Sequence, residues 1–277
     1  MKRGKGTNKS ESKEINPSKN TNTNKKNISK KEALKTSPVA KILPNAVTIT
    51  SMCFGLSSIR FSQSNELVYA VSCVLVSAFL DMFDGKIARL LDQSTAFGLE
   101  LDSLSDLVCF GVAPSIALYS AAMKDVGIVG WVICMFYTVC CALRLARYNV
   151  THADSELVTE LKRNYFVGIP APAGAILALS PLIFYFETNH IRYYYIVISL
   201  LFSGIMMIST VHTFSSKVLK VNKSNYWYAL PIAIIVITSL ILKFWLASSI
   251  LIVVYLVMIP YAVYRYSETL KAIEAKN

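Results

Sequence analysis

Four aspartates within a largely apolar part of the sequence are the residues best suited to chemistry: Asp81, Asp84, Asp102 and Asp106. One aspartate at the centre of a lipid-facing helix costs about 2.5 to 3.5 kcal/mol on insertion scales, so four deep and unpaired carboxylates would cost roughly 10 kcal/mol. A nearby basic residue such as Lys86 could pair with one of them, but not with the complete set. The four aspartates therefore predict a site that binds a ligand of opposite charge.

The spacing of these aspartates places them on two helix faces that can meet. Asp81 and Asp84 are three residues apart, and Asp102 and Asp106 are four apart, so each pair lies on one side of a helix. A short connection at about 90–97 would return the second helix antiparallel to the first, which brings both pairs into one small volume. Carboxylate oxygens in this number are typical ligands of Mg²⁺ or Mn²⁺, and not of zinc or copper. We therefore predict a divalent-metal site near the ends of two neighbouring helices.

Small and basic residues beside the aspartates indicate room for a phosphate-bearing ligand. Gly85 and Gly98 fall on the two acidic faces, where the missing side chain lets a ligand approach the helix closely. Arg89 lies one turn beyond Gly85, where its guanidinium could bind a phosphate or a nucleotide. The predicted site thus combines metal ligands, open space and a cation.

The elements that must position these residues are membrane helices. Of the 277 residues, 54% are hydrophobic and 16% are charged, whereas an ordinary soluble domain is about 25% charged. Unpaired backbone polar groups are not tolerated in lipid, so apolar segments long enough to cross about 30 Å of hydrocarbon must be helices. We predict an all-α polytopic bundle of about eight transmembrane helices, near residues 44–62, 66–91, 98–121, 127–146, 169–186, 192–211, 226–246 and 248–265.

Residues 1–38 have a different composition, which predicts a disordered basic tail ahead of a membrane domain at 39–277. Lys, Asn, Ser and Thr predominate there, with eleven Lys or Arg against three Glu. No apolar stretch follows the basic residues as it would in a signal peptide, so the tail is expected to stay in the cytoplasm. Eight spans then place both termini and the acidic helix ends on the cytoplasmic side. The opposite side would carry few basic residues, namely Arg60, Lys124, Arg192 and Lys243.

The pattern Asp81-x2-Asp84-Gly85-x2-Ala88-Arg89-x8-Gly98-x3-Asp102-x3-Asp106 resembles the signature of the CDP-alcohol phosphatidyltransferase family. Chance agreement at eight fixed residues is on the order of one in a billion for a given window. Three further stretches resemble the phosphatidylserine synthase branch of that family: FGLELDSLSDLVCFGVAPS at 97–115, RLARYN at 144–149 and GIPAP at 168–172. The resemblance covers residues 40–277 and implies transfer of a phosphatidyl group from CDP-diacylglycerol to L-serine, with release of CMP.

The resemblance also implies roles for individual residues. The four aspartates would hold two divalent ions, Mg²⁺ or Mn²⁺, and Asp106 would in addition accept the proton of the attacking alcohol. Seven positions would contact CDP-diacylglycerol: Pro44, Asn45, Gly85, Ala88, Arg89, Thr95 and Gly98. Composition and charge further predict an integral protein of the cytoplasmic membrane, surrounded by the lipid bilayer and without a nucleic-acid partner, and the resemblance implies a possible homodimer.

Two arginines at the cytoplasmic end of the fourth predicted span are candidates for binding the acceptor. Arg144 and Arg147 are three residues apart, and either guanidinium could pair with the carboxylate of serine. The alternative is that both only anchor the end of the span at the lipid headgroups. Their charge would equally suit glycerol 3-phosphate or inositol phosphate, and choline is a further rival. Among these acceptors, only the family resemblance favours serine.

Two other classes of protein also place acidic residues in membranes. An intramembrane prenyltransferase would use carboxylates and Mg²⁺ on a diphosphate, but with Asp-rich motifs in separated loops. An ion-coupled transporter would use intramembrane acids as an ion path, and it would tolerate loss of the glycines better than loss of the charges. One pair of helices that carries both glycines and aspartates favours the phosphatidyltransferase.

Overall fold

The structure is a computed structural model that describes most of the chain after the basic tail. The described residues are 38–91, 95–153, 165–190, 192–210, 212–214, 238–239 and 242–274. The tail, apart from residue 38, and most of the span predicted at 226–246 lie outside these ranges, so the statements about them stay predictions. Side chains are described in a smaller set that leaves out residues 38–42, 84, 87–91, 151–153, 165–167, 212–214 and 261–274.

Long helices account for nearly all of the described residues, and the prediction of an all-α fold is confirmed. A small addition is one antiparallel pair of short strands, β1 (Tyr165–Val167) and β2 (His212–Phe214), in which Phe166 lies opposite Thr213. The helices are α1 Pro38–Gln63, α2 Leu67–Leu91, α3 Ala96–Val126, α4 Ile128–Ala153, α5 Ala171–Thr188, α6 Tyr193–Ile208 and α7 Phe244–Glu274.

The helices have the length and surface of a polytopic membrane protein. Three stretches are long and apolar enough to cross a bilayer: Ala96–Val126, Ile128–Val150 and Ala171–Thr188; shorter apolar stretches lie at Leu67–Phe83, Tyr193–Ile208 and Phe244–Pro260. Large apolar side chains face outward, for example Val129 at 62% exposed and Val257 at 67%. Lipid can cover such side chains without the free-energy cost that water would impose.

The first two helices form an antiparallel hairpin that fixes the start of the acidic segment. Asn65 turns the chain between them with a left-handed backbone (φ 61°), a conformation that asparagine adopts more readily than most residues. Inside the hairpin, the hydroxyls of Ser51 and Ser77 share a buried hydrogen bond of 2.8 Å. Ser77 lies one turn before Asp81 on α2, so this buried bond holds the first acidic face against α1.

Helix α3 carries the second acidic face and departs three times from α-helical geometry. Two of the departures are π turns, in which the backbone N–H bonds to the carbonyl five residues earlier, and the third is a 3₁₀ turn at the end of the helix. The first π turn begins directly after Asp106 and is buried against its neighbours at Cys109, Phe110 and Gly111. The successive segments of α3 are α-helix Ala96–Asp106, π turn Leu107–Val112, α-helix Ala113–Leu118, π turn Tyr119–Met123 and 3₁₀ turn Lys124–Val126.

We expect Gly55→Ala to destabilise the bundle, because α1 and α3 approach closely at this position. A Cβ at residue 55 would lie 2.6 Å from the Sγ of Cys109 and 3.1 Å from its Cα, and a backbone atom cannot move aside as a side-chain end can. Overpacking of this kind costs about 1 to 3 kcal/mol, more than the roughly 0.5 to 1 kcal/mol that alanine gains over glycine in a helix. Thermal unfolding in detergent measures the effect, with the neighbouring, half-exposed Leu56→Ala as the control. An unfolding midpoint at or above that of the unchanged protein would contradict the close approach.

Candidate metal and substrate site

Three of the four predicted aspartates come together between α2 and α3. Carboxylate oxygens of Asp81, Asp102 and Asp106 all lie within 4.8 Å of one another, and each residue is half-buried. The carboxyl groups of Asp81 and Asp106 are close enough to share a hydrogen bond. Asp84 lies on α2 one turn beyond Asp81, but its side chain is outside the described set.

Such a cluster needs positive charge to be stable with all carboxyl groups ionised. Two like charges about 4 Å apart repel by about 4 kcal/mol at the effective dielectric constant of a protein near its surface. A divalent cation removes this repulsion, and three carboxylate oxygens around one small volume fit the preference of Mg²⁺ and Mn²⁺ for hard oxygen ligands. The donor set therefore fits the predicted metals.

A half-buried arginine of α4, Arg144, lies beside the acidic cluster. The guanidinium of Arg144 is half-buried and interacts electrostatically with Asp81 and Asp106. It also interacts with Tyr148 on its own helix and with Tyr255 on α7. Of the two predicted acceptor contacts, Arg144 is thus the one that the structure places next to the carboxylates.

Arg147 faces in another direction and contacts the end of α6. Its guanidinium donates hydrogen bonds to the backbone carbonyls of Ile208 (2.7 Å), Met207 (3.3 Å) and Ser209 (3.4 Å). The last carbonyls of a helix lack partners within that helix, and a cation there also suits the helix dipole. The two roles predicted for Arg147 from the sequence were acceptor binding and anchoring at the lipid headgroups, and neither includes this contact. The assignment of Arg147 to the acceptor site stays a prediction.

The same end of α6 is packed against a glycine that permits an unusual backbone. Gly168 has φ of +79°, and a Cβ there would lie 2.7 Å from the carbonyl oxygen of Met207. The next residue, Ile169, donates its N–H to the carbonyl of Met206 at 3.2 Å. Gly168, Ile169 and Arg147 together tie the segment before α5 and the end of α4 to the end of α6.

Three of the seven residues predicted to contact the nucleotide, Asn45, Thr95 and Gly98, lie close together at the start of α3. Thr95 is the N-cap of α3, and its hydroxyl accepts a 3.0 Å hydrogen bond from the backbone N–H of Gly98. A Cβ at residue 98 would lie 3.0 Å from the amide oxygen of Asn45 and 3.1 Å from the hydroxyl of Thr95. Asn45 on α1, Thr95 and Gly98 therefore surround one small space, with the buried Pro44 beside Asn45 on α1.

The remaining predicted contacts lie on α2. Among the described side chains and the neighbouring helices, no atom lies within 4 Å of the place where a Cβ of Gly85 would be, so in this part of the structure there is space on α2 beside the acidic cluster. Ala88 and Arg89 follow on the same helix, and their side chains are outside the described set.

One polar contact near the carboxylates was not expected from the sequence. Ser103, next to Asp102 on α3, donates a 3.1 Å hydrogen bond to the amide oxygen of Asn149 on α4. Asn149 closes the RLARYN stretch, in which only the two arginines are candidates for function by sequence. The available signal was a polar amide within this stretch, but its five-residue distance from Arg144 is not the three- or four-residue spacing of neighbours on one helix face.

Fold and site together define a polytopic helical membrane protein with a carboxylate cluster able to hold a divalent cation. The model of the family described as CDP-alcohol phosphatidyltransferase matches residues 41–213, which include every residue discussed above for this site except Tyr255. The chain belongs to the CDP-alcohol phosphatidyltransferase family.

Several bacterial relatives bear the name CDP-diacylglycerol–serine O-phosphatidyltransferase. The chain is 44% identical to the Mycobacterium leprae protein over 142 residues, which are 51% of this chain and 47% of the relative. It is 33% identical to the Helicobacter pylori protein over 186 residues, 65% of this chain and 75% of the relative. For the Bacillus subtilis protein the identity is 37% over 138 residues, 50% of this chain and 73% of the relative. The chain thus spans about half the length of the mycobacterial relatives that it matches.

We expect the purified protein to bind Mn²⁺ through the carboxylate cluster. Asp102→Asn removes one charged ligand and should raise the Mn²⁺ dissociation constant by about tenfold or more, since even changes around metal ligands cost 10- to 100-fold. Electron paramagnetic resonance of free Mn²⁺ measures the affinity. Glu100→Gln is a matched control, because Glu100 is an exposed acid on the same helix and outside the cluster. Equal affinities for the two variants would argue against metal binding by Asp102.

Proposed function

We propose that this chain transfers the phosphatidyl group of CDP-diacylglycerol to the hydroxyl of L-serine, giving phosphatidylserine and CMP. The observation that carries the proposal is the meeting of Asp81, Asp102 and Asp106 within 4.8 Å, with Arg144 beside them. Family membership supports the phosphatidyl transfer. The names of the relatives support serine as the acceptor.

In the proposed reaction the serine oxygen bonds to the phosphorus that carries diacylglycerol. The bond from this phosphorus to the bridging pyrophosphate oxygen breaks, and CMP leaves with the electron pair. Asp106 accepts the hydroxyl proton. A carboxylate is a weak base towards an alcohol, so proton transfer accompanies bond formation, and positioning of the reactants supplies much of the acceleration.

Asp81, Asp84, Asp102 and Asp106 would hold two ions, Mg²⁺ or Mn²⁺. Such ions neutralise the charge that develops on a pyrophosphate as its bond breaks. The protein's own part is to keep the carboxylates at one place and to leave room for the substrate. The open face of α2 at Gly85 supports this, because a pyrophosphate could lie against the helix there.

The start of α3 is proposed to bind the cytidine end of the donor. Asn45 supplies an amide group and Thr95 supplies a hydroxyl. Gly98 lies between them, where a side chain would be crowded by both groups. Pro44, Ala88 and Arg89 are included by family resemblance. An amide and a hydroxyl can satisfy the donors and acceptors of a pyrimidine ring or a ribose.

The proposed location is the cytoplasmic membrane, with the carboxylate cluster facing the cytoplasm and both termini on that side. The basic tail and the low count of basic residues on the opposite side support this orientation. Homodimerisation stays a prediction from family resemblance.

CMP release tests the proposal. We expect release from CDP-diacylglycerol only when serine and a divalent ion are both present, with loss on addition of chelator. Asp106→Asn should lower the rate by at least about 100-fold, the usual contribution of a general base, while binding of CDP-diacylglycerol remains measurable. Asp125→Asn, an exposed acid at the far end of α3, is the control. Rates in Asp106→Asn like those of the unchanged protein, or full activity without divalent ions, would refute the mechanism.

Arg144 is expected to bind the carboxylate of serine. Loss of a hydrogen bond to a charged group is worth about 1.5 to 3 kcal/mol, so Arg144→Gln should raise the KM for serine by about tenfold or more. The KM for CDP-diacylglycerol should change little. Arg60→Gln at the exposed end of α1 is the control.

The same assay decides between acceptors. Incorporation of labelled serine, glycerol 3-phosphate, inositol phosphate or choline into lipid identifies the one that is used. A loss in Arg144→Gln confined to kcat, with an unchanged KM for serine, would contradict acceptor binding by this residue.

A further inference from the structure

The π turn that follows Asp106 has an identifiable cause in the sequence. Pro114 has no backbone N–H, and in a regular α-helix its ring would clash with the carbonyl of Phe110, four residues earlier. The helix avoids this by widening at Leu107–Val112, where the N–H of Ala113 bonds to the carbonyl of Val108, five residues back. Pro114 therefore leaves the carbonyl of Phe110 without its usual α-helical partner.

A buried tyrosine of α4 supplies the missing donor. The hydroxyl of Tyr137 donates a 2.7 Å hydrogen bond to the carbonyl of Phe110, and Tyr137 is fully buried. A buried carbonyl without a partner costs about 1 to 3 kcal/mol, so this bond stabilises the widened turn.

The next carbonyl of the π turn is satisfied in a similar way. The carbonyl of Gly111 accepts hydrogen bonds from Ser115 at 2.8 Å and from Thr138 at 3.3 Å. The hydroxyls of Ser115 and Thr138 are also 2.8 Å apart. Thr138 also lies 3.2 Å from the carbonyl of Cys134, and its hydroxyl has one proton to donate. Two consecutive residues of α4, Tyr137 and Thr138, thus lie within hydrogen-bond distance of two consecutive carbonyls of the π turn.

The π turn decides which way the acidic face of α3 points. One residue corresponds to about 100° of rotation around an α-helix, and a π turn holds more residues than an α turn. If residues 107–112 returned to α geometry while the buried segment after them kept its packing, Asp102 and Asp106 would rotate away from Asp81. The orientation of Asp106 consequently depends on the π turn directly after it.

The same tyrosine sets the register of α4 against the site. Arg144 lies seven residues after Tyr137, which is two helical turns on the same face. Its guanidinium interacts with Asp106, the residue just before the π turn. The bond from Tyr137 to Phe110 therefore fixes both partners of this interaction.

We propose that Tyr137 is a positioning residue, whose hydrogen bond to the carbonyl of Phe110 maintains the π turn after Asp106 and so orients the carboxylate cluster. The inference rests on the proposed function in that the oriented cluster is the metal and reaction site. A purely structural tyrosine in the core would affect only the stability of the bundle. A positioning tyrosine also affects metal affinity and kcat.

The test is Tyr137→Phe, which keeps the ring and removes the hydroxyl. We expect the Mn²⁺ dissociation constant, measured by electron paramagnetic resonance without substrate, to rise by about tenfold. We expect kcat for CMP release to fall by about tenfold or more, as for a small misplacement of catalytic groups, and the KM for CDP-diacylglycerol to stay within about twofold. Unchanged Mn²⁺ affinity together with unchanged kcat would overturn the proposal.

Two controls separate positioning from general stability. Tyr119→Phe removes a hydroxyl from α3 thirteen residues beyond Asp106, roughly 20 Å along the helix, and keeps the ring contact with Trp131. Ser199→Ala removes a 3.0 Å bond from α6 to the carbonyl of Ala178, a hydroxyl-to-carbonyl link between helices away from the cluster. Weakened Mn²⁺ binding in Ser199→Ala equal to that in Tyr137→Phe would show a stability effect and overturn the proposal.

If Tyr137→Phe does not fold, a second variant tests whether hydrogen bonds from α4 to the π turn position the carboxylate cluster. Thr138→Val removes the neighbouring hydroxyl from the carbonyl of Gly111 and should shift Mn²⁺ affinity in the same direction; wild-type affinity in that case would overturn the proposal. Because Mn²⁺ binding is measured without substrate, it tests Tyr137 even if the unchanged protein releases no CMP. Absence of CMP release would count against the proposed function alone.

Discussion

Repulsion among carboxylates held close together in a membrane protein is the constraint on which the rest of the structure depends. Asp81, Asp102 and Asp106 would separate if their helices were free to rotate or slide, because each gains by returning to water or by moving away from the others. A cation offsets the repulsion only while the helices keep the three groups at one place. The polypeptide must therefore supply its own restraint, independent of the ligand, through contacts between helices.

Hydrogen bonds from small polar side chains supply much of that restraint. In lipid there is little hydrophobic force between helices, so packing and hydrogen bonds must hold them together. On α3 close to Asp106, Ser105 donates a hydrogen bond to the carbonyl of Thr48 at 3.3 Å, and the thiol of Cys109 lies 3.4 Å from the carbonyl of Ser51. Ser51 is in turn bonded to Ser77. These contacts link α1 to both acidic helices, so α1 acts as the common support for the two faces.

Helical periodicity made the centre of the site predictable. Aspartates three or four residues apart share a face, and a short link makes the two helices antiparallel, so the meeting of α2 and α3 followed from spacing alone. The π turn did not follow, because Pro114 in a helix can produce a kink, a break or a widened turn, and the outcome depends on the hydroxyl of Tyr137 across the interface. The contact of Arg147 with the end of α6 could not be predicted for a similar reason. Its partners are backbone carbonyls some 60 residues away, and carbonyls carry no sequence signal.

Helix α4 then has a greater part in the site than its single predicted pair of arginines indicated. Along one helix, Tyr137 binds the π turn, Arg144 faces the carboxylates, Arg147 binds the end of α6, and Asn149 binds Ser103. A shift of α4 by one residue would move every one of these groups by about 1.5 Å and rotate it by about 100°, which would break all four contacts together. Since they are made to different elements, no single neighbouring helix could move with α4 and preserve them. The register of α4 is therefore fixed jointly, and the position of Arg144 relative to Asp106 is set by bonds that lie before and after Arg144 along the helix.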